Sequence, residues 1–481
     1  MLSPAALKYT DFAMSTRNAI KNGEMHKELD FWKKENTFQK RNYFFVGSYG
    51  GGLKANLWNL LLLHELEQVS KGAFLQRTAA MSGVSGGAVG IGNYASLLKE
   101  QEGYDNIQQR ITQIGTSNVL SNELTYLLGK DWLREYLPFI AHEGRDRSYK
   151  SMRVHAQHTG MGDAFNTQGY SDYWQRLYTK KKQRFPFLIM NTTSVGGEQG
   201  VATTIQFPKG SFSGSITINE FEDSNKDLTY FGAVSTTNRF PFFSPTAKIE
   251  GKGSFLDGGY FENSGMLSVL EAYDVVRTDT VYDFDSRIQP IFINIINSQD
   301  IYIAKKVRDW GFKPTNRVET GEIGAIIGTV TDIDKPTRYV HGKMYQRNLA
   351  METIMMPHKI TYRKVKQVLN AEVDDPLRLM DSIDAHNLFI DKILDSFPSY
   401  DYKKWGVVEP PLARLLSLPA VEYQKAMVRL HPEVRGAIVR IDSVYIKTDS
   451  IVTRKQQERV IETQQQSYQK NFQKLKISPK D

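Results

Sequence analysis

A serine set between glycines is a candidate nucleophile in this sequence. Gly83, Ser85 and Gly87 form a Gly-x-Ser-x-Gly pattern, which is typical of the sharp strand-to-helix turn called a nucleophile elbow. The residues two positions before and after the serine must be small, because larger side chains would collide with the flanking strand and helix. The following helix would offer free N–H groups and a positive dipole end. Taken alone, the pattern also fits a glycine-rich turn without catalytic function.

A run of glycines lies upstream of this serine. Gly50, Gly51 and Gly52, followed closely by Lys54, lie two residues after an apolar stretch at 43–47 and before a leucine-rich stretch with helical spacing. A strand, a glycine loop and a helix in that order are typical of an anion-binding loop, because the helix N-terminus presents unpaired N–H groups.

Several interpretations of the glycine loop compete. A P-loop is excluded, because Leu53 follows Gly52 where the pattern requires lysine. A dinucleotide-binding loop needs an acidic residue about 20 positions further on, and the expected place, residues 73–75, has none. The third interpretation is an oxyanion hole, in which successive N–H groups stabilise a developing negative oxygen and Lys54 adds positive charge nearby. A tight glycine turn with no ligand also stays open.

The elements around these two loops predict an α/β fold. From residue 43 to 98 the pattern is strand, loop, helix, strand, elbow, helix, which is typical of parallel strands joined by helices. Both glycine-rich loops then lie at the carboxyl ends of neighbouring strands, where ligands bind in open α/β sheets. The strand before the elbow has the weakest pattern, because Gln76, Arg77 and Thr78 interrupt its apolar residues.

An aspartate followed by two glycines is a further candidate for chemistry. Asp257 follows an apolar pair at 255–256 and precedes Gly258 and Gly259. We expect it at the end of a strand, on a loop that leaves room for a substrate. An ordinary turn is the alternative, since Asp-Gly-Gly is a common turn sequence.

The composition bounds the classes of function. The absence of cysteine from all 481 residues excludes disulfides, thiolate catalysis and cysteine-ligated zinc. The net charge of +8 suits an anionic membrane surface or nucleic acid, and it fits an unspecialised basic surface equally well. His155 and His158 lie three residues apart, but no third ligand is in sight, so we expect them to pack rather than to bind a metal.

Three regions are expected along the chain. Residues 1–40 predict an N-terminal helical arm, 41–300 the main domain, and 301–481 a mostly helical region that packs on or caps it. No signal peptide or membrane-spanning run is visible, so we expect the protein in the cytoplasm or on the cytoplasmic membrane face. Further strands are predicted at 186–191, 202–207, 290–297 and 437–441, and further helices at 264–276, 340–356, 375–397 and 409–430.

Taken together, the motifs resemble the patatin-like phospholipase family. The resemblance covers about residues 41–300 and departs at Ala55, where the family usually has glycine. It implies a three-layer α/β/α fold with a mostly parallel central sheet and a largely helical C-terminal extension. The blocks that carry it are 50–55, 83–87, 146–148, 186–198, 233–245 and 257–259.

The resemblance also implies a catalytic Ser–Asp dyad. Ser85 would be the nucleophile and Asp257 the base, with the carbonyl oxygen held by N–H groups of Gly51, Gly52 and their neighbours. None of the nine histidines lies in a motif that marks a catalytic base. A free aspartate, with a pKa of about 3.9, is a weak base, so the site must be partly dry. No metal or cofactor is implied.

The expected function is a lipid acyl hydrolase that forms an acyl-serine intermediate at a membrane surface. A glycerophospholipid is the expected substrate and an anionic membrane the expected contact, while no nucleic acid is expected. Triacylglycerol, lysophospholipid and transacylation stay open within the same chemistry. Two other classes also stay open: a non-catalytic lipid-binding or scaffold protein that retains the fold, and a nucleotide-binding oxidoreductase built on the Gly50 loop.

Overall fold

The computed structural model describes residues 41–119, 124, 147–174, 185–221, 228–240, 244–278, 288–317, 335–412 and 415–447. The predicted helical arm at 1–40 and the polar tail from residue 451 lie outside the described residues.

The described strands alternate with helices along much of the chain. In chain order the strands are β1 (Arg41–Ser48), β2 (Thr78–Val84), β3 (Phe187–Ser194), β4 (Gln199–Thr203), β5 (Ser215–Thr217), β6 (Ala247–Ile249), β7 (Gly253–Asp257), β8 (Ile288–Ile296), β9 (Pro314–Arg317), β10 (Ala350–Met355) and β11 (Ala371–Val373). The α-helices are α1 (Gly52–Val69), α2 (Ala73–Gln76), α3 (Ser85–Glu100), α4 (Tyr104–Gly115), α5 (Arg147–Thr159), α6 (Tyr230–Thr236), α7 (Met266–Arg277), α8 (Gln299–Asp309), α9 (Lys335–Gln346), α10 (Tyr362–Leu369), α11 (Pro376–Ser396), α12 (Tyr402–Trp405), α13 (Leu418–Leu430) and α14 (Pro432–Arg440). Short 3-10 helices span Gly162–Asn166 and Gly258–Tyr260, and a π-helix spans Ile441–Ile446.

A nine-stranded sheet forms the centre of the fold. Its main order is β10-β8-β1-β2-β3-β4-β5, and the first five of these strands are parallel neighbours. Strand β7 pairs antiparallel with the last residues of β3, and β6 pairs with β7. The α/β class with a mostly parallel sheet is therefore confirmed.

Helices cover both faces of this sheet. Crossovers between parallel strands are right-handed. The steps from β1 to β2 and from β2 to β3 run in the same direction across the sheet, so α1 and α3 lie on the same face. The step from β8 to β10 runs in the opposite direction, so its connecting helices lie on the other face. Alternation along β1 agrees with this arrangement. Phe45 packs edge-on against Tyr273 of α7, and Gly47 lies against Met266 of the same helix. Phe44 faces the opposite side, where it contacts Phe74. The three layers expected from the sequence are confirmed.

Several predicted elements differ from the observed ones. Residues 437–441 form the end of α14 and the start of the π-helix rather than a strand. Val434, Ala437, Ile438 and Ile441 are buried at helical spacing, and so short an apolar run does not distinguish strand from helix by itself.

Other boundaries also move. The predicted helix at 340–356 is α9 followed by β10, so its second half is a strand. The predicted strand at 202–207 is β4, which ends at Thr203. The region at 233–236 lies in α6, which Thr229 caps by accepting the Gly232 N–H at 3.2 Å. Among the helices of the described residues, none is long and apolar enough to cross a membrane.

Candidate active site

Ser85 lies at the turn between β2 and α3 with a left-handed backbone conformation. Its φ is 49°, a strained value for a residue with a side chain. The flanking glycines are required by close packing. A Cβ on Gly83 would lie 2.5 Å from the Cα of Ala88, and one on Gly87 would lie 2.4 Å from the Tyr49 carbonyl oxygen. The local geometry is therefore that of an elbow which only small neighbours permit.

Strand register brings Asp257 to this serine. Val84, the last residue of β2, pairs with Asn191 of β3, and Asp257, the last residue of β7, pairs with the next residue, Thr192. Strands β2 and β7 therefore meet end to end along one edge of β3. The Ser85 hydroxyl donates a hydrogen bond of 2.6 Å to Asp257 Oδ2.

Backbone groups hold the Asp257 carboxylate. The Gly259 N–H donates to Oδ1 at 2.9 Å, which leaves Oδ2 to face Ser85. A Cβ on Gly258 would lie 2.3 Å from the Asn191 carbonyl oxygen, so the chain passes too close to β3 for any larger residue. Ser85 and Asp257 are only 7% and 4% exposed, and the nearby charge of Asp257 adds to burial in raising the pKa of Tyr260.

Thr237 binds the backbone of the elbow and was not singled out from the sequence. The Ser85 N–H donates to Thr237 Oγ1 at 2.7 Å, and the Gly258 N–H donates to the Thr237 carbonyl at 3.2 Å. Thr237 therefore binds the N–H of Ser85 and the N–H of the residue that follows Asp257. The only signal in the sequence was the run of small residues at 233–237.

The glycine loop packs directly against the elbow. A Cβ on Gly50 would lie 3.1 Å from the Ser85 Cβ, and one on Gly86 would lie 1.9 Å from the Gly52 carbonyl oxygen. Gly51 and Gly52 have φ values of 146° and 59°, which favour glycine. Neither of their N–H groups donates a hydrogen bond within the described part of the chain, so both can serve an oxyanion.

Lys54 faces different charges from those of the dyad. It is the third residue of α1 and is buried. Burial lowers its pKa to about 8, and the charges of Glu409 and Asp300 act in the opposite direction. Lys54 therefore stands in an acidic environment supplied by the C-terminal half of the chain.

A pocket lies beside the elbow. One part of its lining is apolar and another is polar, since the Asn93 side-chain amide joins Asn56 Oδ1 and His155 Nδ1, each at 3.2 Å. His155 thus lies at the pocket and contacts an amide. The pocket-lining residues are Gly52, Leu53, Asn56, Gly86, Val89, Val119, His155 and Asn238.

Comparison with known proteins gives structural neighbours of low sequence identity. No family model matches the sequence, and no curated protein does either. VipD from Legionella pneumophila is similar with a TM-score of 0.29 and 9% identity, over 85% of this chain and 86% of that one. Human GIVD cytosolic phospholipase A2 in complex with methyl gamma-linolenyl fluorophosphonate is similar with a TM-score of 0.42 and 11% identity, over 93% of this chain and 65% of that one. The same enzyme with this inhibitor and terbium chloride gives a TM-score of 0.39, 11% identity, and 93% and 64% coverage. Likeness at this level does not define a reaction.

Proposed function

We propose that this protein is a lipid acyl hydrolase in which Ser85 is the nucleophile and Asp257 the general base. The observation that carries the proposal is the 2.6 Å hydrogen bond between Ser85 Oγ and Asp257 Oδ2, in a buried site beside a glycine loop. A nucleophile, a base within reach of its proton and unpaired N–H donors are the three parts that acyl transfer needs.

The first half of the reaction transfers the acyl group to the protein. Ser85 Oγ attacks the ester carbonyl carbon while its proton passes to Asp257 Oδ2. The carbonyl oxygen becomes an oxyanion and accepts hydrogen bonds from the N–H groups of Gly51 and Gly52. The intermediate collapses as the bond to the leaving oxygen breaks, and Asp257 gives its proton to that oxygen, which leaves as an alcohol.

The second half regenerates the enzyme. A water molecule attacks the acyl carbon and gives a proton to Asp257. The second oxyanion occupies the same glycine loop. Its collapse breaks the bond to Ser85, which recovers its proton from Asp257 as the carboxylic acid departs.

Two observations support a lipid substrate. The motifs resemble those of patatin-like phospholipases, and the net charge of +8 suits an anionic surface. A glycerophospholipid at a membrane surface, reached from the cytoplasmic side, is the substrate we propose.

Vesicles of anionic glycerophospholipid, together with a fluorophosphonate probe, test the proposal. Wild type should release fatty acid and become labelled at Ser85. Ser85→Ala should abolish labelling and reduce release to background, because no acyl-enzyme can form. Asp257→Asn should lower kcat by about 10²–10⁴, the usual contribution of a general base.

Ser96→Ala is the matched control. Ser96 lies on α3 like Ser85 and is buried, but its hydroxyl bonds to Thr159 at 2.8 Å. This variant should keep both labelling and release. Fatty-acid release by Ser85→Ala at the wild-type rate would show that the nucleophile is wrong. Vesicle binding by wild type without labelling or release would indicate a lipid-binding protein instead.

A further inference from the structure

Asn297 is a buried amide whose side chain contacts the glycine loop. It follows the last residue of β8 and is 2% exposed. Its Nδ2 donates to two successive carbonyl oxygens, that of Tyr49 at 3.2 Å and that of Gly50 at 3.0 Å. Nothing in the local sequence around Asn297 indicates this contact, because the two segments are 247 residues apart.

Peptide geometry turns this contact into control of the N–H directions. In a planar trans peptide the C=O and the N–H point in opposite directions, and the described chain has no cis bonds. By holding the Gly50 carbonyl, Asn297 directs the Gly51 N–H away from itself. The preceding peptide is held at both ends, since the Gly50 N–H donates to the Asn263 carbonyl at 3.0 Å.

The loop needs such a restraint because its residues are glycines. Gly51 has a φ of 146°, and glycine samples many other conformations at little cost. A Cβ at Gly51 would lie 2.2 Å from Asn297 Oδ1, so the asparagine packs where a larger residue would project. Asn297 thus limits rotation of the peptide between Gly50 and Gly51, whose N–H would bind the oxyanion.

Residues of the C-terminal half hold Asn297 in turn. His358 Nε2 lies 3.3 Å from the Asn297 carbonyl oxygen, and His358 Nδ1 lies 3.7 Å from Glu409 Oε1. Glu409 accepts the Lys359 N–H and, at 3.4 Å, the hydroxyl of Tyr423 from α13. A chain of polar contacts therefore runs from the loop to the C-terminal helices.

We propose that Asn297 is the positioning residue of the oxyanion hole and that His358, backed by Glu409, keeps it in place. This inference rests on the proposed function, since it assigns a task in that reaction. It also gives residues beyond 300 a part in catalysis: they hold the glycine loop in the orientation that meets the transition state.

Kinetics of Asn297→Ala and Asn297→Asp test the role. Both variants lose a donor to the two carbonyls, and the aspartate also repels them. We expect kcat for a soluble p-nitrophenyl ester to fall by about 10²–10³, the usual effect of losing an oxyanion donor. KM should stay within about threefold, because ground-state binding does not use the oxyanion contacts.

Transition-state affinity separates positioning from general damage. A trifluoromethyl ketone, which forms a tetrahedral adduct with a serine, should bind Asn297→Ala more weakly in proportion to kcat/KM. Asn294→Ala is the matched control, because Asn294 is also buried at the end of β8 but its amide contacts His341 at 3.0 Å. It should keep both kcat and ketone affinity even where its melting temperature falls.

A conservative pair at position 358 tests the support. His358→Leu removes the donor to the Asn297 carbonyl, whereas His358→Gln retains an N–H donor. The leucine variant should lose at least about tenfold in kcat, equivalent to one hydrogen-bond contribution, and glutamine should recover part of it. Equal loss in both would contradict the support role.

The two proposals fail in different ways. A wild-type protein that neither hydrolyses the ester nor binds the ketone would overturn the proposed function itself. An active wild type with Asn297→Ala equally active, or with kcat and KM changed together while ketone affinity is kept, would overturn only the positioning role.

Discussion

At the scale of single residues, hydrogen bonds between side chains and backbone N–H groups keep the candidate site in its conformation. Ser85 keeps a φ of 49° because its N–H is bound by Thr237 Oγ1 at 2.7 Å. Asp257 keeps one oxygen toward Ser85 because the other accepts the Gly259 N–H. Strain of this kind persists where the surroundings over-determine the conformation.

Thr237→Val should destabilise the elbow. The substitution keeps the shape but leaves the buried Ser85 N–H without its acceptor, which costs about 1–3 kcal/mol. We expect urea unfolding to show this loss in the free energy of unfolding, together with a lower kcat. Thr237→Ser should keep the wild-type stability and kcat. Thr236→Val is the control, because Thr236 Oγ1 donates to Ala233 within its own helix at 2.7 Å. A Thr237→Val protein with unchanged stability and kcat would show that this hydrogen bond is dispensable.

At the scale of elements, two helix starts and two strand ends meet at one place. Helices α1 and α3 begin at the glycine loop and at Ser85, and their first turns touch where a Cβ on Gly86 would lie 1.9 Å from the Gly52 carbonyl. Strands β2 and β7 end there because they pair with adjacent residues of β3. The site is thus fixed by sheet register and by glycine contacts between helices.

The same glycine-to-alanine substitution should change the free energy of unfolding in opposite directions in two helices. Gly86→Ala inserts a methyl against backbone that cannot move aside, and we expect a loss of about 1–3 kcal/mol together with a lower kcat. Gly342→Ala, in α9 with nothing near its Cβ position, should stabilise by about 0.5–1 kcal/mol through helix propensity. Urea midpoints measure both. Similar shifts in the two variants would mean that the contact between α1 and α3 is loose.

At the scale of the whole molecule, the two halves of the chain share the larger of two buried apolar clusters. This cluster includes Tyr43 of β1 and Ile446 of the π-helix, while the smaller one lies within residues 302–383. Strand β10 pairs in parallel with β8, so the C-terminal half extends the central sheet. Ion pairs join the halves as well, including Arg435 with Glu65. Residues beyond 300 therefore contribute directly to the structure that carries the site.

Buried histidines in this half should make stability depend on pH. Burial lowers the pKa of His431 to about 3 and that of His386 to about 4, below the usual value of 6.5. Since the unfolded chain takes up protons first, the stability from each neutral histidine is complete above pH 6.5 and is lost as pH falls toward the folded pKa. For one such group the loss between pH 7 and pH 5 is about 2 kcal/mol.

Urea unfolding of wild type and His431→Leu at the two pH values measures this effect. Wild type should be less stable at pH 5, and the difference should shrink in the variant whatever its stability at pH 7. Carboxyl groups contribute little in this window, because their usual pKa values lie below it. An unchanged difference in His431→Leu would show that His431 is not buried in its neutral form.

The amino-acid sequence by itself determined the local parts of this protein. The spacing of Gly83, Ser85 and Gly87 predicted a turn that close packing requires. The apolar run before the glycine loop and a weaker, interrupted pattern before the elbow predicted parallel strands of the α/β fold. These features could be predicted because the steric limits of a turn and the burial pattern of a strand depend on a few neighbouring residues. Short apolar runs such as 437–441 were misassigned, since periodicity alone does not separate a strand from a helix.

Only the tertiary structure decided how distant parts meet. The end-to-end placement of β2 and β7 on β3 brings Ser85 to 2.6 Å from Asp257, across 172 residues of sequence. The contacts of Thr237 and Asn297 with the two loops likewise depend on strand register and helix packing. No local pattern encodes these contacts, because their partners lie far apart in the sequence and meet only once the strand register is set.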